Sequence, residues 1–166
     1  MAVERIETGK FCTNTYLITG DSGAIVVDPA AEYERIVARL NALNASAKYV
    51  LITHGHFDHI GAVSRFVEAG AKVYISEVDY DILAKSDFYV DLGFFGEQVI
   101  PFKADVLLHD GDKFDICGHS FSVMSTAGHT PGGVCYIMDG KCIFSGDTLF
   151  RLNVGRTDFP LCSTSG

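Results

Sequence analysis

The stretch LITHGHFDHIGAV, residues 51–63, sets His54, His56, Asp58 and His59 within six residues. The chain has six histidines, so half of them fall in this one run. Crowding three imidazoles and a carboxylate is costly, because each must be desolvated and charged imidazoles repel one another. A bound cation removes that cost, so the cluster reads as a metal site. His54 and His56 follow the apolar run KYVLIT. In extended backbone, side chains two residues apart project to the same side, so two imidazoles can share one ion. Asp58 and His59 come where the chain turns toward a helix. They point in another direction and suit a second ion beside the first. Gly61 lets the backbone pass close. The pattern is not HExxH, which sets two histidines on one helix face.

A metal site also needs ligands from farther along the chain. His129 lies in STAGHTPGG, among glycines and next to Pro131, and Asp147 follows an apolar run in CIFSGDTLF. For Asp147 alone, a turn or helix cap is the competing reading. Mixed imidazole and carboxylate ligands suit Zn²⁺, Mn²⁺ or Fe²⁺ better than Cu⁺. Two ions sharing an aspartate and a hydroxide make a strong nucleophile near neutral pH. His109 in LLHDGD and His119 in CGHSF sit in ordinary loop settings and are assigned no role.

These residues need strands to carry them and turns to converge them. NTYLIT and GAIVVDP flank the turn Asp21-Ser22-Gly23, a hairpin signal. EYERIVARLNAL puts Ile36, Val37, Leu40 and Leu43 on one helical face. KYVLIT reads as a buried strand, and IGAVSRFVEAG as a helix from about Ile60 that Gly70 stops. KVYIS is a further strand and EVDYDILA a short helix. Residues Lys85 to Val99 show no clean period and read as a loop or lid with exposed aromatics. After Pro101, DKFDI and HSFSVMST flank Cys117-Gly118, and GGVCYIM and KCIFSGD flank Asp139-Gly140. Such an order predicts sheet packed on sheet with helices outside.

Length and composition set the bounds. At 166 residues and 48% hydrophobic, the chain can form one domain with a real core. A formal charge of −8 without a Lys/Arg block argues against nucleic acid as partner. No apolar run has the length of a membrane span, and MAVERIETGK has no signal-peptide core, so a cytoplasmic location is expected. Cys12, Cys117, Cys135, Cys142 and Cys162 form no CxxC pair and read as free thiols.

With these motifs in hand, the sequence resembles the metallo-β-lactamase superfamily of metallohydrolases. HGHFDHIG, residues 54–61, matches the signature HxHxDHxG, and VVDPA, TAGHTPGG and FSGDTLF follow in the family's order. The run SGDTLFRLNVGRTDFP resembles the compact glyoxalase II-like, hydroxyacylglutathione hydrolase-like branch. Ala30 and Ala127 stand where relatives often have Gly and Pro. The resemblance implies an α+β fold, a four-layer αββα sandwich with the site at one edge between the sheets. It implies His54, His56 and His129 on one ion, Asp58 and His59 on a second, and Asp147 bridging. Zn²⁺ is the expected metal, two ions in the intact domain, with Fe or Mn as alternatives. Family members continue past GRTDFP with a helix, a strand and a PGHG-like loop whose histidine completes the second site. The expectation is therefore a single domain, 1–166, lacking its C-terminal helix and strand, weakly active or inactive, with unequal metal occupancy.

The activity implied is hydrolysis of a hydroxyacyl-glutathione-like or other small acyl thioester, with Asp58 catalytic. Arg156, in GRTD, is the candidate for holding substrate or bracing the site, against a plain structural ion pair. The alternatives are a mononuclear iron, persulfide dioxygenase-like enzyme and a non-catalytic remnant. A β-lactamase would be expected to carry a secretion signal, and a nuclease a basic groove. No membrane partner is expected.

Overall fold

A computed structural model describes residues 2–85 and 99–158 of the chain. Two sheets stack face to face. The first has six strands in sequence order: β1 (Ala2–Thr8), β2 (Thr13–Gly20), β3 (Gly23–Val27), β4 (Ala47–Leu51), β5 (Lys72–Ser76) and β6 (Val106–Leu108). The pairs β1·β2 and β2·β3 are antiparallel; β3 through β6 are parallel. Parallel neighbours need crossovers. Helix α1 (Tyr33–Ala42) joins β3 to β4, α2 (Phe57–Ile60) and α3 (Val63–Glu68) join β4 to β5, and α4 (Glu77–Lys85) follows β5. The second sheet runs β7 (Lys113–Ile116), β8 (His119–Ser125), β9 (Val134–Met138) and β10 (Cys142–Phe144), paired antiparallel as β10-β9-β8-β7.

Alternation along the strands builds the layers. Leu17, Ala24, Val26, Val50, Val73 and Ile75 face the helices and pack on Ile36, Leu40, Ile60, Val63 and Phe66. Their neighbours Ile18, Ile25, Val27 and Leu51 face the second sheet and meet Phe121, Val123, Val134, Tyr136, Met138 and Phe144. The order of layers among the described residues is helices, sheet, sheet. That is the expected α+β sandwich, and no described helix joins the cluster between the sheets. No helix among the described residues is long and apolar enough to cross a membrane.

Most strands and both late hairpins fall where the pattern predicts them. Cys117-Gly118 and Asp139-Gly140 each have positive φ at both positions, the geometry of a tight antiparallel turn. Three details differ. The first strand, β1, carries Glu4, Arg5 and Glu7 and so shows no apolar alternation. It forms because a full register along β2, Ala2↔Thr19 to Thr8↔Thr13, satisfies its backbone at the sheet edge, where charges are normal. Strand β6 is only three residues and pairs with β5. The expected helix from Ile60 is two helices, because Ala62 N donates to Pro29 O at 2.9 Å instead of to its own helix. A Cβ on Gly61 would lie 2.2 Å from Ala30 O, so only glycine permits this approach. The lid expected at Lys85 to Val99 lies, for 86–98, outside the described residues.

Candidate metal centre

The ligand-bearing segments gather at one edge of the interface between the sheets. β4 ends at Leu51, and the chain runs on through buried Ile52 and Thr53 to His54. Two bonds tie this run to the second sheet: Tyr136 Oη donates to Ile52 O at 2.8 Å, and Val134 N to Thr53 O at 2.9 Å. His56 is the extended residue that opens α2, whose one turn presents Asp58 and His59. His129 comes from the β8–β9 loop and Asp147 from the turn after β10.

Two donor groups result. His54, His56 and His129 offer nitrogens all within 4.8 Å of one another, and so do His54, His59 and Asp147 with their nitrogens and oxygen. His56 Nδ1 faces His129 Nε2 at 2.9 Å. Asp147 lies between the groups: Oδ1 is 3.3 Å from His59 Nε2, and Oδ2 is 3.5 Å from His129 Nε2. Asp58 sits at the rim, with Oδ2 3.9 Å from His59 Nε2. The structure therefore brings together all six residues singled out as ligands. His109 pairs at the surface with Glu77, and His119 spans Asp139 and Thr19 O; neither belongs to a donor group.

Hydrogen bonds decide which nitrogen of each ring is available. Asp28 is buried, and its Oδ2 accepts from Thr53 Oγ1 at 2.7 Å and from His59 Nδ1 at 3.0 Å, while Oδ1 accepts from Thr53 N at 2.8 Å. With its own proton committed to Asp28, the Thr53 hydroxyl accepts from His54 Nδ1 at 3.1 Å. One carboxylate thus engages Nδ1 of His59 directly and Nδ1 of His54 through Thr53, which turns the Nε2 atoms of both rings toward the donor groups. His129 Nδ1 donates to the carbonyl of Arg156 at 2.7 Å, which turns its Nε2 toward His56 Nδ1 and Asp147 Oδ2. This is how metal-binding imidazoles are oriented.

His54 Nε2 makes the strongest case. It is buried and finds no hydrogen-bond partner among the described residues. An orphaned buried nitrogen costs about 1–3 kcal/mol unless something binds it. Burial, then the neighbouring His59, His56 and His129, hold the His54 imidazole well below its usual range. Burial and His129, partly offset by Asp147, bring His56 down to about 4. Both rings are therefore neutral near pH 7, the form that ligates metal. Burial opposes a charge on His59 too, but Asp28, Asp147 and Asp58 outweigh it and raise it to about 10. Burial pushes the Asp58 carboxyl up, whereas His59 and His129 overcome burial at Asp147 and hold it low. A mixed set of three imidazoles beside an imidazole–carboxylate set suits divalent metal ions.

Arg156 meets this site through its main chain. Its guanidinium forks onto Asp158 at 2.8 and 2.9 Å, while its carbonyl braces His129. A cleft of about 370 Å³ opens beside Asp58, His59 and Asp147, walled by Phe11, Tyr16, Phe144 and Phe150. The role of Asp28 was not assigned from the sequence. Its signal there is slight, an aspartate ending an apolar strand in VVDPA.

Fold and donor groups together define a metallohydrolase: the metallo-beta-lactamase superfamily profile matches residues 9–164, and the chain belongs to that superfamily. Hydroxyacylglutathione hydrolase GloC of Haemophilus influenzae is 33% identical over 164 residues, covering 96% of this chain and 77% of the relative. Among solved structures, the BLEG-1 B3 metallo-beta-lactamase superposes with a TM-score of 0.86 at 31% identity, covering 97% of this chain and 79% of that one. TTHA1623 in a di-iron-bound form gives 0.82 at 32% identity, covering 96% and 79%. The fold binds metal ions, and the histidine cluster fits such a site.

Proposed function

We propose that the chain is a metal-dependent thioesterase acting on hydroxyacyl-glutathione-like or other small acyl thioesters. The observation that carries the metal reading is buried His54, common to both donor groups, with an Nε2 that lacks a partner among the described residues. His54, His56 and His129 would hold one ion, Asp58 and His59 a second, and Asp147 would lie between them. Zinc is the first candidate metal; the di-iron form of TTHA1623 makes iron the second. The likeness to GloC supports the substrate class.

Bound at this centre, the ions supply a water of lowered pKa and polarise a substrate carbonyl. The protein's own groups do the rest. Asp28 keeps the protons of His54 and His59 on their far sides, through Thr53 and directly. The Arg156 carbonyl does the same for His129. Asp58, at the rim, has its carboxyl pushed up by burial; it would help hold the second ion and would orient the attacking water by accepting its hydrogen bond. The aromatic walls of the cleft exclude bulk water around the acyl group. Among the described residues the first ion has four donors and the second three, so the first should be held more tightly.

Elemental analysis and hydrolysis of a hydroxyacyl-glutathione thioester test this. Activity should vanish in chelator and return with added zinc or iron. His54→Ala and His56→Ala should each strip most of the metal. Full metal content in both variants would sink the ligand assignment. Metal-loaded protein that leaves thioesters intact but cleaves a β-lactam would overturn the substrate class.

A further inference from the structure

Asp79, in the first turn of α4, is 3% exposed, although nothing in the sequence SEVDYD distinguishes it from its acidic neighbours. Its Oδ2 accepts from Gly55 N at 2.8 Å and from Thr130 Oγ1 at 2.8 Å. Its Oδ1 accepts from Gly132 N at 2.7 Å. Gly55 lies between His54 and His56, and Thr130 follows His129. The two chain segments that carry the three-imidazole group therefore end on one carboxylate. The fit is close: a Cβ on Gly132 would lie 2.4 Å from Asp79 N and 2.6 Å from Asp79 Oδ1.

The chemistry requires an aspartate. An ionised carboxylate is acceptor-only on both oxygens, whereas an asparagine of the same shape turns one of them into a donor. Three donors from two segments can be satisfied together only by the former. Burial pushes the Asp79 carboxyl up, and the bonds from Gly55, Thr130 and Gly132 pull it back. These donors are neutral, so the group is not half of an ion pair; its partners are the segments themselves.

We propose that Asp79 is a positioning residue of the metal centre, clamping the His54–Gly55–His56 segment to the His129–Thr130 segment so that their imidazoles converge on one ion. The inference rests on reading that trio as ligands. Without the clamp each segment keeps its own fold contacts, but the spacing between His56 and His129 is no longer imposed. Helix α4 then matters to metal binding although it supplies no ligand.

The test is a cobalt(II) titration of the metal-free full chain, read as affinity and as the visible d–d spectrum. Asp79→Asn should bind cobalt about 10- to 100-fold more weakly, with altered band intensities. Thr130→Val removes one of the three donors and should shift both readouts in the same direction by less. Phe66→Leu, in the helix-facing core, should lower the melting temperature and leave cobalt affinity and spectrum unchanged. Wild-type affinity and spectrum in Asp79→Asn overturn the inference. An equal loss in Phe66→Leu also overturns it, because general destabilisation then explains the effect. Should Asp79→Asn not fold, Thr130→Val decides, and wild-type cobalt binding in it overturns the inference. A wild-type chain that takes up no cobalt refutes the metal-centre reading itself, a result distinct from a wild type that binds beside an unaltered Asp79→Asn.

Discussion

Asp28→Asn is the most informative single change, because it keeps the shape and reverses the polarity of one atom. Asp28 Oδ2 accepts from both Thr53 Oγ1 and His59 Nδ1. An amide nitrogen in that place must donate instead. His59 can receive that hydrogen only on an unprotonated Nδ1, so its proton moves to Nε2, the atom 3.3 Å from Asp147. The opposite amide orientation sets Nδ2 against Thr53 N–H, donor against donor in a buried site. Either way a charge-assisted hydrogen bond is lost, about 1.5–3 kcal/mol. A chain of this length loses about 2–4 °C of melting temperature per kcal/mol, so the metal-free variant should melt roughly 3–12 °C lower. The metal effect should be the larger one, since the wrong tautomer removes a ligand nitrogen outright. Removing the Asp28 charge also takes away the largest influence that raises His59, so its titration should move down from about 10. Thermal melts in chelator, imidazole nitrogen NMR and a metal titration measure the three effects. An Asp28→Asn chain with a wild-type melt, wild-type His59 titration and undiminished metal binding would refute the relay.

Two further expectations follow from the same structure. In the metal-free chain His59 is raised from 6.5 to about 10, so its stabilisation is complete below pH 6.5 and is lost as pH rises through 10. His56 is lowered from 6.5 to about 4, so the unfolded chain binds the extra proton and stability falls as pH drops from 6.5 toward 4. Melting temperature in chelator should therefore peak near pH 6.5, and a profile still climbing at pH 9 would contradict the assignment. Gly61→Ala would set a Cβ 2.2 Å from Ala30 O. The forced shift should cost about 1–3 kcal/mol, and an unchanged melt would show that the α2–α3 junction is looser than its contacts.

Much of the site was legible because it is local in sequence. His54, His56, Asp58 and His59 are bound together by spacing alone, and the cost of crowding them implies a ligand wherever the chain goes. The hairpins at Cys117-Gly118 and Asp139-Gly140 were legible for a like reason: a turn's backbone angles select its residues. His129 and Asp147 were legible as candidates through their strand-end, glycine-rich settings, and the structure brings both to the cluster.

Other features depended on partners far away in the chain. Strand β1 has almost no apolar pattern; its existence depends on the hydrogen-bonding edge of β2. The break between α2 and α3 depends on Pro29 and Ala30 lying against Gly61 and Ala62. Arg156 was legible as a residue that holds substrate or braces the site, but not that its carbonyl, which any residue would possess, is what meets His129. Asp28 and Asp79 are the clearest cases. In sequence Asp28 shows only its place at the end of an apolar strand, and nothing sets Asp79 apart from its acidic neighbours, because the donors that satisfy each lie 24 to 53 residues away. The sequence by itself determined which side chains could bind metal. Tertiary structure decided which carboxylates would orient them, because orientation depends on hydrogen bonds that exist only once distant segments have met.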